Sequence, residues 1–352
     1  MTPTAAATDF TSALFLAQRH PSGGIRPWKE LTAGVPAALR ELPESSQLAA
    51  AVAGRQHAPS GLIARSALHG LMDILEILPR PGDRLLVDEG AYPLARWACW
   101  AAESRGVRVT IFPHRLPPAG PTPGRTWVVT DGWCQGCSLP APLAKMHDLV
   151  RGTGGRVIVD DSLAFGVLGR RQSGANPFGD GSGTVRWSGL GHDGFLWLAS
   201  LAKAYGTPVT VITGDREAIR AVARSGGNRL YSSPPSAADL GAGLDALADG
   251  GGTDRRARLR RRTQWLRRAF SSLGLPPQGR CFPIVGTRVE SLELARHWQR
   301  KLAERQLQTL VQLPRCHSNP ILSAVVRADH TQSDLDHLVR ALAEVTGNLR
   351  AA

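Results

Sequence analysis

Residues 195–206 read FLWLASLAKAYG: five apolar residues, a serine, then a lysine held among small residues ahead of a glycine. A run that is apolar at every position, not at alternate ones, belongs to a strand buried on both faces, as in a parallel sheet. Similar runs lie upstream at 84–88 (RLLVD), 107–112 (VRVTIF), 127–130 (WVVT) and 156–160 (RVIVD), and downstream at 209–213 (VTVIT). Between them, 66–78, 92–104 and 141–151 carry helical periodicity. This alternation predicts an α/β fold with a mostly parallel sheet covered on both faces. Such sheets bind ligands beyond the carboxyl ends of their strands, where Asp88, Asp131, Asp160, Asp161 and the 200–203 segment fall.

Farther out, the pattern changes after about residue 250. A long basic helix, the segment FPIVGTRVE (282–290), a helix near 291–305, a strand near 322–326 and a last helix near 333–345 predict a smaller α+β domain. The expected division is an N-terminal arm over 1–45, a large domain over 46–250 and a small domain over 251–352. Seven glycines in 174–194 predict a long loop between two core strands.

The 352 residues suffice for one large core and a smaller second one. With 42% hydrophobic residues and no apolar run of membrane-spanning length, the chain is expected to be a soluble globular protein without membrane contact. The first 20 residues lack a basic stretch followed by a clean apolar one, so no signal peptide is read and a cytoplasmic location is the default. The formal charge of +13 comes almost entirely from arginine. Its densest run, DRRARLRRRTQWLRR (254–268), places Ala257, Leu259, Trp265, Leu266 and Phe270 roughly on one helical face. The expectation is a solvated arginine face and no nucleic-acid partner, with an acidic carrier protein or phosphate-bearing substrate as the minority reading. Cys134 and Cys137 form a CxxC with no second pair at zinc-finger spacing, so no metal is expected. Its bland reading is a turn with cysteines packed as small apolar groups; a redox pair is the weaker alternative.

Only four lysines exist: Lys29 in the arm, Lys145 and Lys301 in helices with exposed faces, and Lys203 directly after a buried strand. Around Lys203 stand the groups that pyridoxal 5′-phosphate (PLP) requires. A lysine amine must meet the aldehyde, a carboxylate must keep the pyridine nitrogen protonated, and a helix N-terminus with hydroxyls must hold the phosphate. Ser66 and Ala67 open a helix, Tyr92 follows a strand and can cover the ring, Asp160 closes RVIVD, and Ser200 precedes Lys203 by three residues. A strand-end aspartate or a helix-start serine alone is more often a cap; the position of Lys203 discriminates better.

From about residue 66 onward the chain resembles fold-type I PLP enzymes of the aminotransferase class I/II superfamily, especially the α-oxoamine synthases such as 8-amino-7-oxononanoate synthase. VIVDDSLAFGVLGR (157–170) is similar to that group's VDDAHGTGVLG, and SLAKAYG (200–206) to its T-x-G-K-x-x-G. TDGWCQGCSLPAPL (130–143) resembles T-E-G-x-x-S-M-x-G-x-x-A-P-L without gaps. PRPGDRLLVDEGAYPLA resembles the general aminotransferase pattern P-G-D…P-x-Y-P, YSSPPSAA a phosphate-binding segment, and ADHTQSDLDHLVRAL a C-terminal A-A-H-T-x-E-D-I-D helix. The resemblance implies the PLP-dependent transferase fold type I. It makes Lys203 the Schiff-base lysine, Asp160 the pyridine partner, Tyr92 the stacking residue, and Ser200, Ser66 and Ala67 phosphate ligands. It also places Asp131 in the active site and makes Ser232 a phosphate hydroxyl supplied across a homodimer.

Three positions depart from the pattern. Leu163 stands for the synthases' histidine, Gln135 for the serine of T-E-G, and Ser323 for the arginine that clamps the substrate carboxylate, with Arg327 and Arg315 nearby. The expected function is a PLP-dependent C-acyltransferase joining an amino-acid-derived carbanion to an acyl thioester, from acyl-CoA or an acyl carrier protein. The departures point away from a housekeeping biotin-pathway enzyme toward specialised metabolism. The alternative is an aminotransferase or another carbanion enzyme on the same fold, which Tyr92 and the lost histidine favour.

Overall fold

A computed structural model of the chain describes residues 7–20, 34–119, 124–171 and 176–347; Lys29 lies outside them. The described residues divide into two compact units, one within 18–133 and 140–250, the other within 1–17, 134–139 and 251–352.

The larger unit holds a seven-stranded sheet. Its strands are β1 (Ser60–Ala64), β2 (Arg84–Asp88), β3 (Arg108–Phe112), β4 (Thr126–Asp131), β5 (Val157–Asp160), β6 (Phe195–Ser200) and β7 (Thr210–Gly214). Their spatial order is β1-β7-β6-β5-β4-β2-β3. β2 to β6 run parallel, and β7 runs antiparallel to both its neighbours. The five parallel strands and β7 match the expected segments to within one residue. β1 is an addition: SGLIA offers a serine, a glycine and only three apolar residues, too short a pattern to register as a strand.

Continuous apolarity has the expected cause. Leu85 and Val87, Ile158, and Leu196 and Leu198 pack into a core on one face of the sheet with the helix Ala67–Ile77. Their chain neighbours Leu86, Val157, Val159, Phe195 and Trp197 pack into a second core on the other face with the helix Leu143–Val150. The sheet thus has the predicted helix cover on both faces.

The smaller unit contains an antiparallel sheet of β8 (Ile284–Arg288), β9 (Leu310–Gln312) and β10 (Ile321–Val325), in the order β8-β10-β9. The helices Gly252–Ser272, Leu292–Ala303 and Gln332–Thr346 accompany it. Thr331 begins the last of these with a capping box: its hydroxyl accepts from Asp334 N–H while Asp334 accepts from the Thr331 backbone. The arginine-rich helix differs from its expected face. Arg256, Leu259, Thr263, Leu266 and Phe270 are its buried positions, while Ala257 and Trp265 are only half-buried. Arg262 donates to the carbonyl of Ala328, and Arg267 to those of Gln278 and Gly279. Part of the expected solvated arginine face is therefore internal mortar, and burial lowers the pKa of both guanidiniums.

Candidate active site

In the order of the strands, β3 lies at one edge beyond β2 while β4 returns to the other side of β2, so the chain reverses its winding between β2 and β4. That reversal is where open α/β sheets leave a crevice at their carboxyl ends. Asp131 ends β4 and Asp160 ends β5, and the two are register partners. Asp88, which ends β2, is buried and structural. Its carboxylate accepts from Gly90 N–H (2.8 Å) and Thr130 Oγ1 (3.3 Å) and meets His114 Nδ1 at 2.7 Å. This fixes the turn that carries Tyr92, whose backbone N–H donates to both carboxylate oxygens of Asp131 at 3.1 Å. The Tyr92 ring remains 51% exposed, free to cover a ligand.

Burial pushes the pKa of Asp131 well above the ordinary carboxylate range, and the neighbouring Asp160 and Asp88 charges push in the same direction. The Tyr92 N–H opposes this shift, and so does the positive charge of Lys203. The Lys203 charge thus acts on Asp131. Lys203 is half-buried in a turn over 201–205 that directly follows β6. Lys145, in contrast, is exposed and Lys301 pairs with Glu304 at 3.0 Å. The loop after β5 lies directly on this turn at Gly166, which has φ +86°. A side chain there would meet Ala204 Cβ at 2.7 Å and the Tyr205 ring at 2.9 Å.

Ser162 went unnoticed in the sequence. Its N–H donates to Asp160 Oδ1 (2.9 Å) and its hydroxyl accepts from Ser200 N–H (2.9 Å), a two-step link from the carboxylate to the start of the lysine turn. The only signal was its place in D-D-S-L, where the resembled pattern has alanine. Asp161 directly follows β5 at the carboxyl end of the sheet, as expected, and is fully buried, accepting from Thr184 N–H (2.9 Å) and Thr184 Oγ1 (2.6 Å). Burial raises its pKa to about 6, against the two hydrogen bonds. It locks the glycine-rich stretch, which contains a short helix at Thr184–Trp187 and is not loop throughout.

Ala64 of β1 and Ser200 of β6 are both register partners of Thr210, so Ser66 emerges at the same edge of the sheet as Ser200. Ser66 caps the helix Ala67–Ile77: its hydroxyl accepts from His69 N–H and lies 2.7 Å from His69 Nδ1. Ala67 is the first residue of that helix, where backbone N–H groups lack intrahelical acceptors. Arg65 donates to the Ser233 carbonyl at 3.1 Å, bringing the segment of Ser232 alongside; Ser232 Oγ itself donates to the Asn228 carbonyl at 2.6 Å. The donor set suits PLP: an amine, carboxylates at strand ends, an uncovered aromatic ring, and a capped helix start for a phosphate.

In the smaller unit Ser323 sits mid-strand in β10, buried, with its hydroxyl unpaired among the described residues. Arg327 is not free to replace a carboxylate clamp, because its guanidinium holds Asp9 at 2.9 Å and Asp329 at 3.0 Å.

The sheet order and the strand-end groups define an α/β protein with the fold of the fold-type I PLP-dependent transferases. Residues 123–342 match the family described as aminotransferase class I and II, and the chain belongs to that family. It is 30% identical over 224 residues to an 8-amino-7-oxononanoate synthase of Alkalilimnicola ehrlichii, covering 62% of this chain and 55% of that one. With a namesake from Geobacter sulfurreducens it shares 27% over 300 residues, covering 81% and 73%. In the first of these matches, the chain spans little more than half the length of its relative. Among solved structures, a serine palmitoyltransferase of Sphingomonas wittichii superposes with a TM-score of 0.83 at 13% identity, over 96% of this chain and 87% of that one. An 8-amino-7-oxononanoate synthase of Francisella tularensis gives 0.79 at 17%, over 99% of both. The family and fold expected from the sequence both stand.

Proposed function

We propose that this chain is a PLP-dependent acyltransferase of the α-oxoamine synthase type, joining an amino acid to an acyl thioester carried by coenzyme A or a carrier protein. The observation that carries the reading is the grouping of Asp160, Asp131, Tyr92, Ser200 and Lys203 on one edge of the sheet of a class I/II aminotransferase chain. The names of its relatives support the same reaction type.

Lys203 would hold the cofactor covalently, Asp160 its ring nitrogen, and Ser66, Ala67, Ser200 and Ser232 its phosphate. Bound there, PLP supplies an electron sink for the carbanion formed at the amino acid's α-carbon. The remaining work is the protein's. Asp160, tied to Ser200 through Ser162, is fixed in orientation before any ligand arrives. Asp131, inclined to keep its proton, removes a competing negative charge next to Asp160. Tyr92 covers one face and excludes water, and the released Lys203 amine moves the substrate proton. Leu163 and Ser323 support a substrate outside the biotin pathway, consistent with specialised metabolism.

The test is direct. Chain purified with PLP should show visible cofactor absorbance that Lys203→Ala abolishes. Added amino acid and acyl thioester should release free thiol, each in dependence on the other. Conversion of the cofactor to its pyridoxamine form with a keto acid product, and no thiol, would instead establish the aminotransferase alternative. A colourless protein indifferent to PLP would remove both.

A further inference from the structure

The CxxC turn of the smaller unit does not stand alone. Cys316, 182 positions beyond Cys134, brings its sulfur to 3.8 Å from the Cys134 sulfur. The sulfurs of Cys134, Cys137 and Cys316 all lie within 4.8 Å of one another. Sequence spacing offered two sulfurs and argued against a metal; folding supplies the third.

The packing that creates this cluster is specific. At Gly136, between the two CxxC cysteines, a Cβ would meet Pro314 Cβ at 2.6 Å and Cys316 Sγ at 2.7 Å. Only the bare backbone lets the 314–316 turn lie on the CxxC turn. The other flank is fastened by Arg280 N–H donating to the Ser138 carbonyl at 2.8 Å, with the Ser138 hydroxyl donating to the Arg280 carbonyl at 3.3 Å. Three segments far apart in sequence are thus braced around three thiols. Cys134 is buried while Cys137 and Cys316 are half-buried, so an ion has a route in.

From this arrangement we infer a zinc site formed by Cys134, Cys137 and Cys316. Tetrahedral zinc with Zn–S bonds of about 2.3 Å sets its sulfurs about 3.8 Å apart, the separation seen for Cys134 and Cys316. A disulfide instead needs about 2.05 Å between sulfurs. Three thiolates select a borderline-to-soft cation over magnesium or calcium, and they leave one coordination position for a further ligand. Each thiol releases its proton as its sulfur takes the metal, so binding sheds protons and weakens as the pH falls. The site is independent of the proposed reaction: it braces the CxxC turn whether or not the enzyme is an acyltransferase.

The experiment uses the full chain, reduced, stripped of metal and handled without oxygen. Zinc is titrated against a chromophoric chelator, and cobalt(II) is added in parallel as a spectroscopic stand-in. One equivalent per chain is expected, with thiolate-to-cobalt charge-transfer absorbance and the strong visible bands of tetrahedral cobalt. Cys134→Ser, Cys137→Ser and Cys316→Ser should each weaken zinc binding by about a hundredfold or more, while Cys99→Ala and Cys281→Ala leave it unchanged. Far-ultraviolet circular dichroism verifies that each variant is folded; if one single variant does not fold, the other two decide. A reduced chain that never competes with the chelator overturns the proposal. So does an equivalent of zinc that survives the triple serine substitution. A chain isolated with Cys134 and Cys316 joined, and taking no metal after reduction, overturns it in favour of a redox pair.

Discussion

Asp131 and Asp160 are neighbours of the same chemical type that the structure sets to different work. Burial and the adjacent carboxylates favour the protonated form of Asp131, so a neutral carboxamide is a close mimic of its working state. Asp131→Asn should therefore retain cofactor absorbance and lose no more than about tenfold in kcat near neutral pH. Asp160→Asn cannot offer a negative charge to a pyridinium and should lose about 1,000-fold, a loss of about 4 kcal/mol of transition-state stabilisation. Steady-state kinetics on the two variants, side by side, check the assignment; equal losses would defeat it. Asp161 gives a different signal. In the unfolded chain it ionises near its ordinary 3.8, but in the folded chain only near about 6. Between those values the unfolded state has already lost its proton, so stability falls as the pH rises through that window, by about 3 kcal/mol in all. Asp161→Asn keeps an acceptor for Thr184 N–H and can donate to Thr184 Oγ1. Urea denaturation should find this variant no more stable than the parent at pH 4 but more stable by about 1–3 kcal/mol at pH 7.

At the scale of elements, Arg327 shows how a side chain near an expected clamp position can be committed elsewhere. Its guanidinium bonds both the side chain and the backbone carbonyl of Asp9, and His330 Nε2 also meets that carbonyl at 3.0 Å. Together they hold the short N-terminal strand Thr8–Asp9 beside Leu307–Gln308. Arg327→Ala should lower stability by about 1–2 kcal/mol, since the pair is only partly exposed, while KM for the amino-acid substrate stays within about twofold. A large rise in KM with unchanged stability would restore Arg327 as a carboxylate clamp. The inner parallel strands were legible because their apolar runs are buried on both faces, Phe195 and Leu196 packing into opposite cores; β3, at the sheet edge, was legible from its β-branched run although only Phe112 is buried. β1 was not, because its place depends on pairing with β7, which comes 150 residues later. Lys203 was legible because lysines are scarce and only one follows such a strand. Ser162 and Thr184 were not, because their value lies in contacts across the loop between β5 and β6. Cys316 was invisible beside the CxxC for the same reason.

For the whole molecule, the surface of the larger unit carries an apolar feature that a lone chain does not explain. Trp97 and Trp100, one helical turn apart on Pro93–Glu103, are 52% and 57% exposed. That helix packs on β3, the sheet edge, where Ile111 is 48% exposed and, among the described residues, no strand pairs with the outer side. We propose that these exposed apolar side chains belong to an association surface. The occupant proposed here is a second copy of the chain, as the resemblance to fold-type I enzymes implies. Tyr92 occupies the position just before this same helix, so the association would bear directly on the residue proposed to cover the cofactor. Sedimentation of the purified protein should give twice the chain mass. Trp97→Lys with Trp100→Lys should shift it to the single-chain mass and raise the apparent Kd for PLP by about tenfold, with far-ultraviolet circular dichroism unchanged. If the double variant still sediments as a dimer, the interface lies on another face of the molecule. If it becomes monomeric with cofactor affinity intact, the site is complete within one chain and Ser232 serves its own subunit.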